Sequence, residues 1–279
     1  MELGDLISNR YQVISKIGEG KFGVVYQAHN IKTKQIVAIK TESTGSPIRL
    51  LKNETAVLKY LYDQGCRCCP TVYWYGIHLD TTCLAFSFYT MSLYDYLHIV
   101  SVDIDKKYKI MAACIEILES IHKYFVIHRD IKPQNFMIKD GELFIIDFGL
   151  ATFFIGQDGE HVEDIKSDNL VGTPNYTSYN VHCGHSASRR DDMISLGYMY
   201  LWMIQGELSW SSSDDNTGLD TPYDKTNILC PYNVYRREKK SWAILENLED
   251  KKIHKYLEYC YRLEYEGSPL HGELKKIFI

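Results

Sequence analysis

The chain has 279 residues, of which 45% are hydrophobic and 24% are charged, and its formal net charge is −5. That length allows a large core or two lobes that share a cleft, and the composition is ordinary for a globular protein. The slightly negative charge gives no reason to expect nucleic acid or an anionic membrane as the main partner. We expect a monomer with no nucleic-acid and no membrane partner.

The N-terminal sequence MELGDLISNRYQ lacks the basic and apolar regions of a signal peptide, and no apolar run is long enough to span a bilayer. We therefore expect an intracellular protein, in the cytoplasm, the nucleus or both, with reduced cysteines. Three of the eight cysteines, Cys66, Cys68 and Cys69, lie close together. They are interpreted either as a loop of reduced thiols or as a metal site, although no second cysteine pair at zinc-site spacing accompanies them.

The N-terminal part of the chain is predicted to begin with three strands, in residues 11–17, 24–28 and 35–40. Between the first two lies the glycine-rich sequence Gly18-Glu-Gly-Lys-Phe-Gly23. In a dinucleotide-binding fold such a sequence opens a helix, whereas here the β-favouring run Val24-Val25-Tyr26 follows. The glycines are therefore predicted to form a hairpin whose backbone N–H groups can approach phosphates, which excludes a dinucleotide-dependent enzyme.

Lys40 ends an otherwise apolar strand, so its ammonium group needs an anionic partner. The next helix is predicted over residues 48–62, from apolar side chains spaced three or four residues apart. Glu54 lies beside that apolar face and is assigned as the partner of Lys40. Glu42 is the nearby alternative, but it follows on the strand and should point elsewhere. Residues 71–76 and 81–89 are predicted to be two further strands.

The stretch from Val126 to Gly149 contains two acidic residues, Asp130 and Asp147, that a turn of the chain could bring together. An Asp-Gly pair between the apolar runs 136–138 and 143–146 predicts a hairpin. That hairpin is expected to return Asp147 to the neighbourhood of Asp130 and Asn135, where hard cations and a phosphate could bind. The structural alternative is that Asp130 caps a helix and Asp147 ends a strand.

The rest of the chain is predicted to be mainly helical. Helices are expected over residues 92–99, 105–125 and about 192–204, with two or three more in 243–279. Residues 150–176 form a long acidic segment without clear periodicity, which is typical of a functional or mobile loop. The basic cluster between Arg236 and Lys240 is interpreted as a solvated helix face, with an anion-docking patch as the alternative.

Together these motifs resemble those of protein kinases. The chain contains G-x-G-x-x-G-x-V at residues 18–25, V-A-I-K at 37–40, H-R-D-x-x-x-x-N at 128–135 and D-F-G at 147–149. The resemblance implies an α+β fold of two lobes, a small antiparallel-sheet N-lobe with one helix and a large, mainly helical C-lobe. Residues 1–279 would form a single kinase domain, with the N-lobe about 1–88 and the C-lobe about 89–279.

The resemblance also implies ATP and Mg²⁺ as cofactors and proteins with serine or threonine acceptors as substrates. Asp130 would accept the proton of the substrate hydroxyl, Lys132 would neutralise the transferring phosphoryl group, and Asn135 and Asp147 would hold Mg²⁺. The implied nucleotide-binding residues are Ile17, Gly18, Glu19, Gly20, Lys21, Phe22, Gly23, Val24, Val25, Ala38, Lys40, Glu54, Phe86 and Phe88. Thr173 would bind near Asp130 and Lys132, as in serine/threonine kinases, and Asp192 would brace the loop that carries Asp130.

Within the kinases, the chain resembles the casein kinase 1 family. The resemblance rests on residues 40–43, 128–136 and 186–198, and on Ser178-Tyr-Asn180 in place of the usual A-P-E. That family carries basic residues after D-F-G and in a G-T-A-R-Y stretch, and they favour acidic or phosphorylated substrates. Here Phe153-Phe154 and Asn175 stand at such places, although Lys166 is expected to retain part of the site. The resemblance identifies residues 150–176 as the activation segment of a kinase, and Arg189-Arg190 are expected to brace it.

We therefore predict a weakened preference for primed acidic substrates and tolerance of neutral or basic sequence around the acceptor. The alternative function is a pseudokinase scaffold that binds nucleotide and partners without phosphoryl transfer. The loss of Lys40, Asp130, Asn135 or Asp147 would indicate such a scaffold, and all four residues are present.

Overall fold

A computed structural model describes residues 1–20, 23–211 and 226–279 of the chain. These residues divide into two compact units. The first contains Met1–Ser92 and Met137–Ala151, and the second contains Leu93–Phe136 and Thr152–Ile279. The first unit thus takes in the segment 137–151, which the division at about residue 88 assigned to the C-lobe.

The first unit is built on a six-stranded antiparallel sheet with the order β1-β2-β3-β4-β6-β5. Its strands are β1 (Leu6–Ile7), β2 (Tyr11–Gly20), β3 (Gly23–Asn30), β4 (Ile36–Ser43), β5 (Val72–His78) and β6 (Thr81–Ser87). One helix, α1 (Leu50–Asp63), packs against this sheet. The apolar residues of α1 that the sequence pattern placed on one face include Leu51, Leu58 and Leu61, and all three are buried.

A second, three-stranded sheet contains the predicted hairpin. Its strands are β7 (Met91–Ser92), β9 (Phe136–Lys139) and β10 (Glu142–Ile145), in the order β10-β9-β7. The turn places Asp140 and Gly141 at positive φ, 53° and 83°, which an Asp-Gly pair adopts more readily than most residues. Pairing of β9 with β7 explains why the segment 137–151 groups with the first unit.

The second unit is mainly helical. Its helices are α2 (Leu93–Ile99), α3 (Ile104–His122), α4 (Tyr179–His182), α5 (Arg189–Gln205), α6 (Pro231–Lys239), α7 (Lys251–Arg262) and α8 (His271–Lys276). A short antiparallel pair is formed by β8 (Val126–Ile127) and β11 (Thr152–Phe153). The antiparallel sheet of the first unit and the helices of the second agree with the predicted fold class.

Local signals explain where the long helices begin and end. Asp103 caps α3 by accepting a hydrogen bond from the backbone N–H of Lys106. The helix ends at His122, three residues before the predicted end, and Phe125 has a left-handed φ of 63°. Ser188 and Asp191 form a capping box, so α5 begins at Arg189 and not at residue 192.

The core of the second unit forms where α3, α5, α7 and α8 pack together. Helix α5 is buried on nearly all sides between Asp191 and Leu201, so it has no exposed polar face in that stretch. Across the residues that the structure describes, no helix combines the length and the apolar character needed to cross a membrane.

Candidate active site

The glycine-rich sequence forms the predicted hairpin between β2 and β3. Gly20 lies opposite Gly23, and Glu19 lies opposite Val24. A β-carbon at Gly23 would lie 1.6 Å from the carbonyl oxygen of Thr41, so the approach of β3 to β4 requires glycine there. Lys21 and Phe22, two of the predicted nucleotide-binding residues, lie outside the described residues.

Several predicted nucleotide-binding residues share one apolar cluster in the first unit. The members of that cluster are Ala38, Leu51, Leu84 and Phe86, with Val25, Val72, Tyr75 and Phe88 packed against them. Ala38 and Phe86 lie opposite each other on β4 and β6. Ile17 is exposed and lies in an irregularity of the β2–β3 pairing, between Lys16 and Gly18. The cluster offers an apolar surface of the kind that a flat heterocycle could contact.

Lys40 is bound by two carboxylates, in keeping with the anionic partner that the sequence predicts, although β4 continues past it to Ser43. Its Nζ lies 2.7 Å from Glu54 Oε2 and 2.6 Å from Asp147 Oδ1. Burial lowers the pKa of Lys40, but the two carboxylates outweigh burial and the net pKa is raised, so the side chain is a cation. Burial raises the pKa of Glu54 and exceeds the opposing effect of Lys40. The assignment of Glu54, and not Glu42, as the partner of Lys40 agrees with these distances.

Glu42 has a different role that sequence reasoning missed. Its Oε1 accepts hydrogen bonds from the backbone N–H groups of Leu50 and Leu51, the first two residues of α1. The residue before the helix, Arg49, provides no side-chain cap. Glu42 therefore caps the helix that carries Glu54, from a position eight residues earlier in the chain. The one signal in the sequence that could have suggested this contact is the presence of an acidic residue, Glu42, in the segment before the helix.

Asn53, next to Glu54 on α1, holds the Asp147-Phe-Gly segment. Its Nδ2 lies 3.4, 3.1 and 2.9 Å from the carbonyl oxygens of Phe148, Gly149 and Ala151. Asp147 itself has a left-handed φ of 66°, an uncommon conformation for a residue other than glycine. Helix α1 therefore fixes the segment both through Asn53 and through the Glu54–Lys40–Asp147 contacts.

In the second unit, Asp130 is the centre of a hydrogen-bonded group. Thr173 donates both its backbone N–H, at 2.9 Å, and its hydroxyl, at 2.7 Å, to Asp130 Oδ1. Lys132 Nζ lies 2.6 Å from Asp130 Oδ2 and 3.0 Å from the Thr173 hydroxyl. The Asn135 amide nitrogen donates to the backbone oxygen of Asp130 at 2.8 Å and to Oδ2 at 3.1 Å. Thr173 thus contacts both Asp130 and Lys132, as the resemblance implied.

Asp192 binds the backbone of the loop that carries Asp130. Asp192 Oδ2 accepts the backbone N–H of His128 at 2.8 Å, and its Oδ1 accepts that of Arg129 at 2.9 Å. His122 Nε2 lies 3.0 Å from Asp192 Oδ2, and the other ring nitrogen of His122, Nδ1, lies 3.0 Å from His271 Nε2. Burial raises the pKa of Asp192, but the bonds to His122 and His128 outweigh it and the net pKa is lowered. The predicted bracing role of Asp192 agrees with these contacts.

The Ser178-Tyr-Asn180 sequence is bound to the first turn of α5. Ser178 Oγ donates to Asp191 Oδ1 at 2.5 Å, and Asn180 Nδ2 donates to the same oxygen at 3.2 Å. Asp191 Oδ2 accepts the backbone N–H of Ser188 at 2.8 Å. Burial raises the pKa of the Asp191 carboxyl group. This network holds the residues that follow the segment 150–176 against the helix that also carries Asp192.

The basic cluster Arg236–Lys240 is only in part the solvated face that its charge pattern indicated, because Lys239 is exposed whereas Arg236 and Lys240 are buried. Lys240 is fully buried, and its Nζ lies 2.7 Å from the carbonyl oxygens of both Pro174 and Thr177. Arg236 is also buried, and its Nε donates to Asn175 Oδ1 at 2.9 Å. Periodicity on a short helix cannot distinguish a buried cation from an exposed one when its acceptors belong to a distant segment, here residues 174–177.

Three other predicted basic residues have partners of their own. Arg189 donates to the Glu266 carbonyl oxygen at 2.5 Å and stacks on the Phe154 ring, and Arg190 donates to the Leu263 carbonyl oxygen at 3.1 Å. Among the described residues, the stacking of Arg189 on Phe154 is the contact that fits the expected bracing of the activation segment. The hydrogen bonds of the two arginines go to residues 263–268. Lys166 lies 2.6 Å from His185 Nε2.

The structure thus assembles the predicted residues in two groups, one in each unit. The first unit contains the glycine hairpin, the apolar cluster and the Lys40–Glu54–Asp147 contacts. The second contains Asp130, Lys132 and Asn135 with Thr173 and Asp192. The expected meeting of Asp147 with Asp130 and Asn135 stays a prediction.

The family model described as the protein kinase domain matches residues 11–264. Because this match covers far more than half of the chain, the chain belongs to the protein kinase family. Domains of this family are phosphotransferases that generally use ATP and Mg²⁺ and act on protein substrates.

Proposed function

We propose that the chain is an active serine/threonine protein kinase, which transfers the γ-phosphoryl group of ATP to hydroxyl groups of protein substrates. The observation that carries this proposal is the arrangement around Asp130, where Lys132 Nζ and the Thr173 hydroxyl lie 3.0 Å apart and both bind the carboxylate. A lysine two residues after the aspartate, bound to such a threonine, resembles the serine/threonine class.

The residues of the first unit fit a bound nucleotide. The side chain of Lys40 is a cation held by Glu54 and Asp147, which suits it to bind phosphate oxygens. The side chain of Asp147 is 40% exposed, so one of its oxygens can reach a cation. When bound, Mg²⁺ would neutralise charge on the phosphates. The apolar cluster around Ala38 and Phe86 is suited to the adenine ring.

The residues of the second unit fit the acceptor side of the reaction. Asp130 would orient the substrate hydroxyl and accept its proton, and Lys132 would neutralise the transferring phosphoryl group. The Asn135 amide uses its nitrogen on Asp130, so its oxygen is the group that would bind Mg²⁺. Most of the rate would come from positioning and from charge stabilisation, because phosphoryl transfer needs little covalent participation by the protein.

Within the serine/threonine kinases we propose a casein kinase 1-like enzyme whose preference for primed acidic substrates is weakened. Asn175 stands where the family carries an arginine, and it binds Arg236. Lys240 is buried against Pro174 and Thr177. Asp158, Glu160 and Glu163 of the activation segment are exposed and would repel a phosphorylated peptide.

Transfer of labelled γ-phosphate from Mg²⁺-ATP to casein tests the activity, with Asp130→Asn as the matched variant. We expect phosphoserine or phosphothreonine in casein with the wild-type protein and its loss with the variant. Transfer that persists in Asp130→Asn would mean a contaminating kinase or a wrong assignment of the base. Binding of ATP in a thermal-shift assay without any transfer would favour the pseudokinase scaffold.

A library of serine peptides tests the substrate preference separately. Each peptide is compared with a partner that carries phosphoserine upstream of the acceptor. We expect similar rates for the two members of each pair, and tolerance of neutral or basic neighbours. A strong and general advantage of the phosphorylated members would refute the weakened preference while leaving the kinase assignment intact.

A further inference from the structure

Three thiols that have no part in the proposed phosphoryl transfer meet in the loop between α1 and β5. Cys66 Sγ lies 3.4 Å from Cys68 Sγ, and Cys66 is also hydrogen-bonded to Cys69. Cys66 and Cys69 are buried, with exposures of 4% and 6%, and Cys68 is half-buried. The partial exposure of Cys68 gives a small solute access to the edge of the cluster.

The protonation of the cluster is asymmetric. Hydrogen bonds from Cys68 and Cys69 hold the pKa of the Cys66 thiol well below its usual range, and they outweigh the effect of burial. The bond to Cys66 and burial together raise the pKa of Cys69. The Cys66 thiol therefore ionises more readily than an ordinary thiol and lies beside a Cys69 thiol that holds its proton. A thiolate that has a second thiol within reach can attack an oxidant, and the adjacent thiol can then resolve the product.

The other cysteines of the chain lack this arrangement. All eight cysteines lie in the described residues, and none forms a disulfide. Burial raises the pKa of Cys83, Cys114 and Cys260, so these thiols are poor nucleophiles. No group of three or more His, Cys, Asp or Glu side chains in the described part of the chain is placed to hold a metal ion, so the metal-site interpretation gains no support.

We infer that Cys66 and Cys68 form a peroxide-sensitive modification site, in which hydrogen peroxide converts the two thiols to a reversible disulfide. The 3.4 Å between the sulfurs has to shorten to about 2 Å, which needs a side-chain rotation and a small shift of the intervening Arg67 backbone. This inference concerns the loop alone and does not depend on the proposed kinase activity.

The reaction balances in two steps. The Cys66 thiolate attacks one oxygen of hydrogen peroxide, the O–O bond breaks, and hydroxide leaves and takes up a proton as water. The product is a sulfenic acid on Cys66. The Cys68 sulfur then attacks the Cys66 sulfur, the S–O bond breaks, and a second water leaves as the S–S bond forms. Two thiols lose two electrons in total, and one peroxide is reduced to two waters.

The site has a direct contact with the segment that carries Asp147. The carbonyl oxygen of Cys68 accepts a hydrogen bond from the backbone N–H of Ile145 at 2.8 Å, and Ile145 lies two residues before Asp147. Ile145 is fully buried at the end of β10. Because the disulfide shifts the backbone at Cys68, it should weaken this bond and loosen the end of β10.

The experiment treats the reduced full-length protein with equimolar hydrogen peroxide, blocks the remaining thiols with iodoacetamide and maps tryptic peptides by mass spectrometry. Arg67 provides a cleavage site between the two cysteines. The disulfide therefore appears as a linked pair of peptides, residues 60–67 and 68–106, which dithiothreitol separates. Amide hydrogen exchange of a peptide containing Ile145 is measured before and after oxidation, and we expect faster exchange in the oxidised protein.

Variants identify the bond. Cys66→Ser and Cys68→Ser should each abolish the linked pair, whereas Cys69→Ser and the half-buried control Cys230→Ser should keep it. The inference is overturned if all three thiols stay open to alkylation after peroxide, or if Cys69→Ser abolishes the link in place of Cys68→Ser. It is also overturned if the thiols are protected by zinc that a chelator removes.

Discussion

Thr173 donates two hydrogen bonds to a single oxygen of Asp130, one from its backbone N–H at 2.9 Å and one from its hydroxyl at 2.7 Å. The other carboxylate oxygen is bound by Lys132 and Asn135. All of these donors come from the second unit, so the orientation of Asp130 is set within that unit. Thr173 belongs to the activation segment. A shift of that segment would therefore change the hydrogen bonds that orient Asp130, the proposed catalytic base.

The first prediction concerns the contribution of the Thr173 hydroxyl to kcat. In Thr173→Val the hydroxyl bonds to Asp130 and Lys132 are lost, while the backbone N–H remains. Loss of a hydrogen bond to a charged group costs about 1.5–3 kcal/mol, so kcat toward casein should fall about 10- to 150-fold. Steady-state kinetics measure this, with Thr173→Ser as the control that keeps the hydroxyl. Equal kcat values for the valine and serine variants would contradict the role.

The second prediction concerns the contribution of Lys240 to the free energy of unfolding. Lys240→Met keeps the length of the side chain but removes the ammonium donor from the carbonyl oxygens of Pro174 and Thr177. The Pro174 oxygen keeps a contact with His182 Nε2 at 3.1 Å, so the Thr177 oxygen is the one left unsatisfied. An unsatisfied buried polar group costs about 1–3 kcal/mol, so the free energy of unfolding should fall by about 2 kcal/mol or more. Urea unfolding measures the change.

The matched control for this variant is Lys239→Met, one residue away on the exposed side of the helix end. We expect it to unfold like the wild type. If the two methionine variants unfolded at the same urea concentration, Lys240 would belong to the solvated face that its charge pattern first indicated.

Position 42 provides the third prediction. Glu42→Ala removes the acceptor for the Leu50 and Leu51 N–H groups and should destabilise the protein by about 0.5–2 kcal/mol, as loss of a helix cap does. The same change should raise KM for ATP, because α1 carries Glu54, the partner of Lys40. Thermal unfolding and ATP kinetics measure the two effects. Glu42→Gln retains an acceptor oxygen and should fall between the wild type and the alanine variant.

The pH dependence of stability provides the fourth prediction. Burial beside Lys240 lowers the pKa of His182 to about 2, whereas an unfolded histidine titrates near 6.5. Between these values the unfolded state binds the extra proton, so His182 stabilises the protein fully above pH 6.5 and less as the pH falls. The loss at pH 5.5 should be about 1.4 kcal/mol.

Urea unfolding of the wild type and of His182→Gln at pH 7.5 and pH 5.5 isolates this contribution. The difference between the two pH values should be smaller in the variant by about 1.4 kcal/mol. An equal difference in both proteins would mean that His182 is protonated in the folded state as readily as in the unfolded one.

The contacts that the sequence predicted correctly share a physical property. Each follows from the charge or the backbone conformation of the residue itself. Lys40 at the end of an apolar strand must have a carboxylate nearby, and the face of α1 leaves Glu54 to provide it. Asp-Gly must turn the chain, so the hairpin after Asn135 could be predicted. In each case a local rule had a single outcome.

The residues that were missed or placed wrongly bind backbone groups instead. Asn53 donates to three carbonyl oxygens, Glu42 accepts from two N–H groups, and Lys240 donates to two carbonyl oxygens. Every residue of a chain offers such groups, so the sequence alone does not show which of them a polar side chain will meet. The same reasoning explains why the Arg236–Lys240 cluster resembled a solvated face.

The close contact of Gly23 with Thr41 has a genetic consequence. Every other amino acid carries a β-carbon, which would overlap the Thr41 carbonyl oxygen. Every missense change of this codon should therefore disrupt the folded protein and be eliminated by natural selection. A β-carbon at Gly18 would meet only Val25 at 3.9 Å, and one at Gly20 would meet nothing within 4 Å. In a saturation-mutagenesis library sorted for folded protein, alanine codons should therefore persist at positions 18 and 20 and disappear at position 23.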